Sequence, residues 1–156
     1  MSGKIIIVGA TGYTGTALAK LLKQENIDCH LIGRNESELE KLANETGQSF
    51  SVCSNVSDEQ SVSESLSSIT DDKIIGLAYC VGSIVLKSFQ TTKTDDFINT
   101  FNLNVTGAIH FIKKLQKQLA DNNGSIVLFS TVAVDRGFNM HSVISTAKGA
   151  IQGLTT

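Results

Sequence analysis

Apolar residues fall into two rhythms along this chain. Short apolar runs at 4–8, 27–32, 50–53, 74–80 and 125–129 predict five strands. The segments between them carry apolar residues at helical spacing. Ala17, Leu18, Leu21 and Leu22 share one face of a helix predicted over 14–24. Leu39 and Leu42 do the same over 36–46, and Val62, Leu66 and Ile69 over 58–69. A long helix follows, with Thr94 as its expected N-cap and Asp95 and Asp96 at its positive end. Its expected stripe is Phe97, Phe101, Val105, Ala108, Ile112, Leu115 and Leu119. Asn122-Asn123-Gly124 is expected to end it, the glycine taking a left-handed conformation. A last helix begins near His141 and runs to Thr156. Residues 82–93 have room for a short helix that the pattern does not place.

Strands alternating with helices predict parallel βαβ units. Right-handed crossovers then give an α/β fold, a doubly wound parallel sheet in the order 3-2-1-4-5 between two helical layers. A crevice opens where the order reverses, between strands 1 and 4. With 156 residues, 41% hydrophobic and 18% charged, the chain reads as one globular domain over 1–156. A formal charge of -2 leaves no basic footprint for nucleic acid. The apolar run at 5–8 is too short for a membrane span. Cys29, Cys53 and Cys80 are isolated, as free thiols packed in strands would be. They suit a reducing cytoplasm, the expected location, and suggest no metal site.

Gly9-Ala10-Thr11-Gly12-Tyr13-Thr14-Gly15 sits where the first strand meets the first helix. Gly9 permits a tight turn, Gly12 a close backbone approach to a diphosphate, and Gly15 close helix–sheet packing. The helix N-terminus offers unpaired N–H groups to phosphates, and Thr11 and Thr14 can add hydroxyl donors. This spacing in this context predicts a Rossmann-type dinucleotide site. The second strand ends Leu31-Ile32-Gly33-Arg34-Asn35, without the carboxylate that would hold a ribose 2′-hydroxyl. Arg34 can pair with a 2′-phosphate and stack on adenine, which favours NADP(H) over NAD(H). The plainer alternative makes Arg34 a solvated surface charge.

With these motifs in hand, the chain resembles the short-chain dehydrogenase/reductase family along its whole length. The resemblance implies an oxidoreductase that moves hydride between NAD(P)(H) and a small carbonyl or alcohol. Asn55-Val56 stands where the family places an Asp-Val pair against adenine. Tyr79-Cys80-Val81-Gly82 replaces Asn-Asn-Ala-Gly, keeping only Gly82. Asn104 matches the family's active-site asparagine; a polar residue kinking a long helix is the other reading. Thr131 takes the catalytic serine position, with Ser130 adjacent but expected on the opposite face. Lys148 matches the lysine that binds the nicotinamide ribose and lowers the catalytic phenol's pKa.

The tyrosine of the Tyr-x-x-x-Lys helix is replaced by Ile144. General acid catalysis is worth typically ~10²–10⁴ in rate. Its loss raises the barrier by roughly 3–5 kcal/mol. Catalysis is therefore expected to be impaired, though His141 shares a helix face with Ile144 and Lys148. His141 as an exposed residue at the helix start is the other reading. A non-catalytic NADP(H)-binding sensor or scaffold, or a non-functional truncated remnant, are the alternatives. Family members are typically longer, adding two strands, a helix and a substrate loop. The resemblance also implies a homo-oligomer built through the helices flanking the fifth strand.

Overall fold

The computed structural model describes residues 3–70 and 72–155. Five strands, β1 (Lys4–Val8), β2 (Cys29–Gly33), β3 (Ser49–Val52), β4 (Ile74–Tyr79) and β5 (Ser125–Leu128), form one sheet. Its order is β3-β2-β1-β4-β5 and every pairing is parallel. The expected doubly wound α/β architecture is present, with its switch point between β1 and β4.

Strand β1 is the axis of the sheet because its side chains feed both faces. Ile6 and Val8 pack on one side with Val62, Val105, Phe111 and Leu115. Ile7 packs on the other with Ala19, Leu22, Leu31 and Leu39. The second layer is made by α1 (Tyr13–Gln24) and α2 (Glu36–Thr46). The first includes α3 (Glu59–Leu66), α5 (Gly107–Asp121) and α7 (Ser142–Leu154). Strand β5 is an edge, and its Ile126 and Val127 are 41% and 51% exposed. Among the described residues no helix is long and apolar enough to cross a membrane.

Several boundaries differ from the sequence pattern for local reasons. The second strand starts at Cys29, because Ile27 donates to the Leu22 carbonyl in the turn that closes α1. The 58–69 helix is α3 plus a tight 3-10 turn, Ser67–Ile69, with Asp58 as its N-cap. The predicted long helix is not continuous. It comprises α4 (Thr94–Phe101), a π-helical turn over Asn102–Thr106, and then α5. Its N-cap is Lys93 rather than Thr94, with the Lys93 N–H donating to Asp96 Oδ2 at 2.9 Å.

A π turn adds a residue to the helical repeat and so rotates the buried face. Core positions are therefore Thr100, Asn104, Val105, Ala108, Phe111, Leu115 and Leu119, while Phe101 is left 38% exposed. At the C-terminal end of α5, Asn123 and not Gly124 takes the left-handed conformation, with φ 51°. A short helix that the pattern missed, α6 (Ala133–Arg136), precedes α7. Helix α7 ends at Leu154, and Thr156 lies outside the described residues.

Candidate active site

The N-terminal turn of α1 and the C-terminal ends of β4 and β5 open onto a cleft of about 350 Å³. Thr14, Gly82, Asn104, Ser130, Thr131, His141, Ile144 and Lys148 all line it. Five segments far apart in the chain thus bring the proposed phosphate turn and the expected catalytic set to one opening.

The glycine turn is built by backbone contacts. Both Gly9 and Ala10 donate their N–H to the Ile32 carbonyl, at 2.8 and 3.0 Å. Gly9 has φ 80°, and a Cβ there would sit 2.9 Å from the Val81 nitrogen. At Gly15 a Cβ would collide with the Gly9 carbonyl oxygen and lie 2.7 Å from the Ala10 Cα, so only glycine fits. The Thr16 hydroxyl donates to the Ala10 carbonyl at 3.0 Å and holds the turn against the helix. Gly12 is the N-cap of α1; no side chain caps it and no acid lies in the first turn. The helix therefore presents N–H groups and partial positive charge to whatever enters, which fits a diphosphate. Tyr13 opens α1 with its ring 95% exposed.

Asn104 sits in the π turn and is fully buried. Its Nδ2 donates to the Thr100 carbonyl at 2.9 Å, while its Oδ1 has no partner in the protein. Buried polar atoms normally find a partner, so an orphaned carbonyl oxygen beside a cleft marks a place for a donor from outside the chain. Gly82 faces this atom. A Cβ on Gly82 would lie 3.0 Å from Asn104 Oδ1 and 3.7 Å from Lys148 Nζ. The space kept open by that glycine is thus bounded by an acceptor and an ammonium. Asn104 lies in the π turn and also lines the cleft.

The π turn has its own support. Gly107 N–H bonds back to the Asn102 carbonyl, and the Tyr79 hydroxyl donates to the Leu103 carbonyl at 2.7 Å. A Cβ at Gly107 would collide with that hydroxyl. Burial pushes the Tyr79 phenol well above its ordinary pKa and keeps it neutral.

Lys148 is half-buried, and desolvation lowers its pKa from the ordinary lysine value. Among the described residues no carboxylate pairs with it. Thr131 Oγ1 accepts from the Ala133 N–H at 3.3 Å, which leaves its own proton to donate. Ser130 does not point away as alternation predicted. Strand β5 ends at Leu128, so alternation no longer governs Ser130; it lines the cleft and donates to the Lys148 carbonyl at 3.3 Å. Ile144 is 4% exposed and forms apolar wall.

The expected adenine-side residues are less convergent. Arg34 is exposed and unpaired among the described residues. Asn35 is committed to capping α2, its Oδ1 accepting from the Glu38 N–H and the Ser37 hydroxyl. Asn55 Oδ1 likewise accepts from the Ser57 N–H, and Val56 is a core side chain beside Gly107. Thr11 is half-buried in the glycine turn.

The family model described as short chain dehydrogenase matches residues 3–156. A serine 3-dehydrogenase of Agrobacterium fabrum is 31% identical over 145 residues, covering 85% of this chain and 55% of the relative. A tropinone reductase homolog of Arabidopsis thaliana is 28% identical over 157 residues, covering 96% and 58%. The chain thus spans little more than half the length of these relatives. A solved short chain dehydrogenase/reductase family protein superposes with TM-score 0.88 at 27% identity, over 99% of this chain and 66% of that one. An actinorhodin polyketide ketoreductase with NADPH gives TM-score 0.89 at 18% identity, over 99% and 62%, a likeness of fold. Sheet order, cleft and full-length family match agree: the chain belongs to the short-chain dehydrogenase/reductase family of oxidoreductases.

Proposed function

We propose that this chain binds NADP(H) and retains a short-chain reductase site whose turnover is slowed by the loss of its phenol. The observation that carries the reading is the uncapped N-terminus of α1, placed at the switch point and opening on the cleft that holds Asn104, Thr131 and Lys148. Gly9, Thr11, Gly12, Tyr13, Thr14 and Gly15 would hold the diphosphate. Gly82 would admit the coenzyme, with Lys148 on the nicotinamide ribose. When bound, the coenzyme supplies or accepts a hydride at the carbonyl carbon of a small substrate.

The side chains of this protein then divide the remaining work. Thr131 donates a hydrogen bond from its hydroxyl to the substrate oxygen and keeps its proton. Asn104 Oδ1 orders a donor between itself and Lys148. Ile144 excludes water but moves no proton, so protonation of the oxygen is the slow step. Arg34 favours the 2′-phosphate form of the coenzyme, with Asn35, Asn55 and Val56 around the adenosine end. Against that preference stand Glu36 and Glu38 in the first turn of α2.

Titration of the protein with NADPH and NADH, alone and with Arg34→Ala, tests the assignment. NADPH is expected to bind more tightly, and Arg34→Ala to erase the difference. No saturable binding of either coenzyme refutes the reading. A second reading, a coenzyme-binding module without chemistry, is favoured by Ile144 alone. It predicts the same binding and no turnover of any carbonyl.

A further inference from the structure

We propose that His141 is the proton donor of this site, acting where the family's phenol is missing. The proposal rests on the coenzyme-binding reading above and adds a residue that the family pattern does not use.

Three observations converge on it. First, His141 lines the same cleft as Asn104, Thr131, Ile144 and Lys148. It precedes Ile144 by three residues, and one helical turn places such residues on a shared face. Second, the ring is held in one orientation. Its Nδ1 lies 2.7 Å from the Asn139 carbonyl oxygen, and Phe138 meets it edge-on with centroids 5.4 Å apart. A carbonyl oxygen only accepts, so Nδ1 carries the hydrogen in the neutral ring. Nε2 has no protein partner among the described residues, and it carries a proton only as imidazolium. That is the form an acid catalyst needs.

Third, the backbone that delivers the ring is unusual. Met140, just before it, has φ 65°, a left-handed conformation that non-glycine residues seldom adopt. Its carbonyl accepts from the Lys87 N–H at 3.2 Å, which ties this segment to the loop after β4 on the facing wall. Such outliers persist where surrounding structure enforces them, and they gather at working sites.

Hydride from a reduced nicotinamide dinucleotide forms a C–H bond at the carbonyl carbon. The C=O π pair passes to oxygen, and the His141 Nε2–H bond breaks as O–H forms. The imidazole is left neutral and regains its proton from solvent. Charged groups on the adjoining elements are Lys148 on α7, Lys87 with its partner Asp96 across the loop, and Asp135 and Arg136 on α6.

The test uses the full chain, NADPH, and 9,10-phenanthrenequinone as the probe carbonyl. Saturable NADPH binding is measured first, because its absence overturns the coenzyme reading rather than the choice of His141 and removes the basis of both. With binding in place, wild-type turnover is expected to fall about tenfold per pH unit on the alkaline limb. His141→Gln is expected to bind NADPH as the wild type does, to lose roughly 10²-fold in rate at pH 6 and to flatten the profile. Ile144→Tyr placed in His141→Gln is expected to restore the rate, since both groups would serve one proton. A readout independent of turnover is the ¹⁵N-imidazole NMR titration. NADP⁺ should move the midpoint of His141 and leave that of His110 in place. An unchanged rate and profile in His141→Gln, no wild-type turnover despite saturable binding, or a His141 midpoint blind to NADP⁺ would each overturn the proposal.

Discussion

Lowering the pH from 7 to 5 is expected to destabilise this fold through one buried imidazole. His30 on β2 is 1% exposed. Its two ring nitrogens lie 2.8 Å from the hydroxyls of Ser49 and Ser51 on β3, one accepting and one donating. Burial, with help from Lys4, lowers its pKa from 6.5 to about 4, while Asp72 opposes. The folded state thus resists a proton that the unfolded chain takes up readily. Stability from this group is complete above the unfolded value and drains away as pH falls toward the folded one. At pH 5 the unfolded imidazole is almost wholly charged and the folded one about a tenth charged. Linkage then gives a loss of roughly 2 kcal/mol relative to pH 7, and about 3 kcal/mol by full protonation. Urea unfolding followed by circular dichroism at pH 7, 6 and 5 measures this by linear extrapolation. His30→Gln should start less stable at pH 7 and lose much less on acidification. An acid slope equal in both proteins would refute the assignment and place the effect on other groups.

Three further outcomes follow from the site. In the His141→Gln background, Ile144→Tyr is expected to raise carbonyl reduction by about 10²-fold, read as NADPH oxidation at 340 nm; no gain would show that the pocket cannot use a phenol there. Gly15→Ala, whose methyl meets the Gly9 carbonyl, is expected to lower stability by about 1–3 kcal/mol and to abolish NADPH binding, measured by denaturation and calorimetry. Tyr79→Phe strips the Leu103 carbonyl of its donor, so a loss of ~1–3 kcal/mol is expected, with faster hydrogen exchange of the Gly107 amide as the local check.

The strands and the glycine turn were legible in the sequence because burial on one or both faces writes a period into the chain. Ile5–Val8 and Gly9–Gly15 needed no tertiary information. The π turn over Asn102–Thr106 left no such mark. A stripe drawn at regular spacing therefore chose Phe101 and Ile112 where the core takes Thr100, Asn104 and Phe111. Helix α6, four residues long, is shorter than any periodic signal. Ser130 was misjudged because strand alternation was extended past the last paired residue, Leu128. Asn35 and Asn55 use their side-chain oxygens on neighbouring backbone N–H groups, a local role that spacing alone does not reveal. The role of Tyr79 depends on a partner 24 residues away and emerged only from the packing.

The most direct trial of the whole account is a crystal structure of the chain grown with NADPH. The account predicts density for the diphosphate against the N-terminus of α1 and for the nicotinamide end beside Gly82, Asn104 and Lys148. A fully loaded crystal in which the coenzyme lies elsewhere on the surface, leaving the end of β1 untouched, would contradict it.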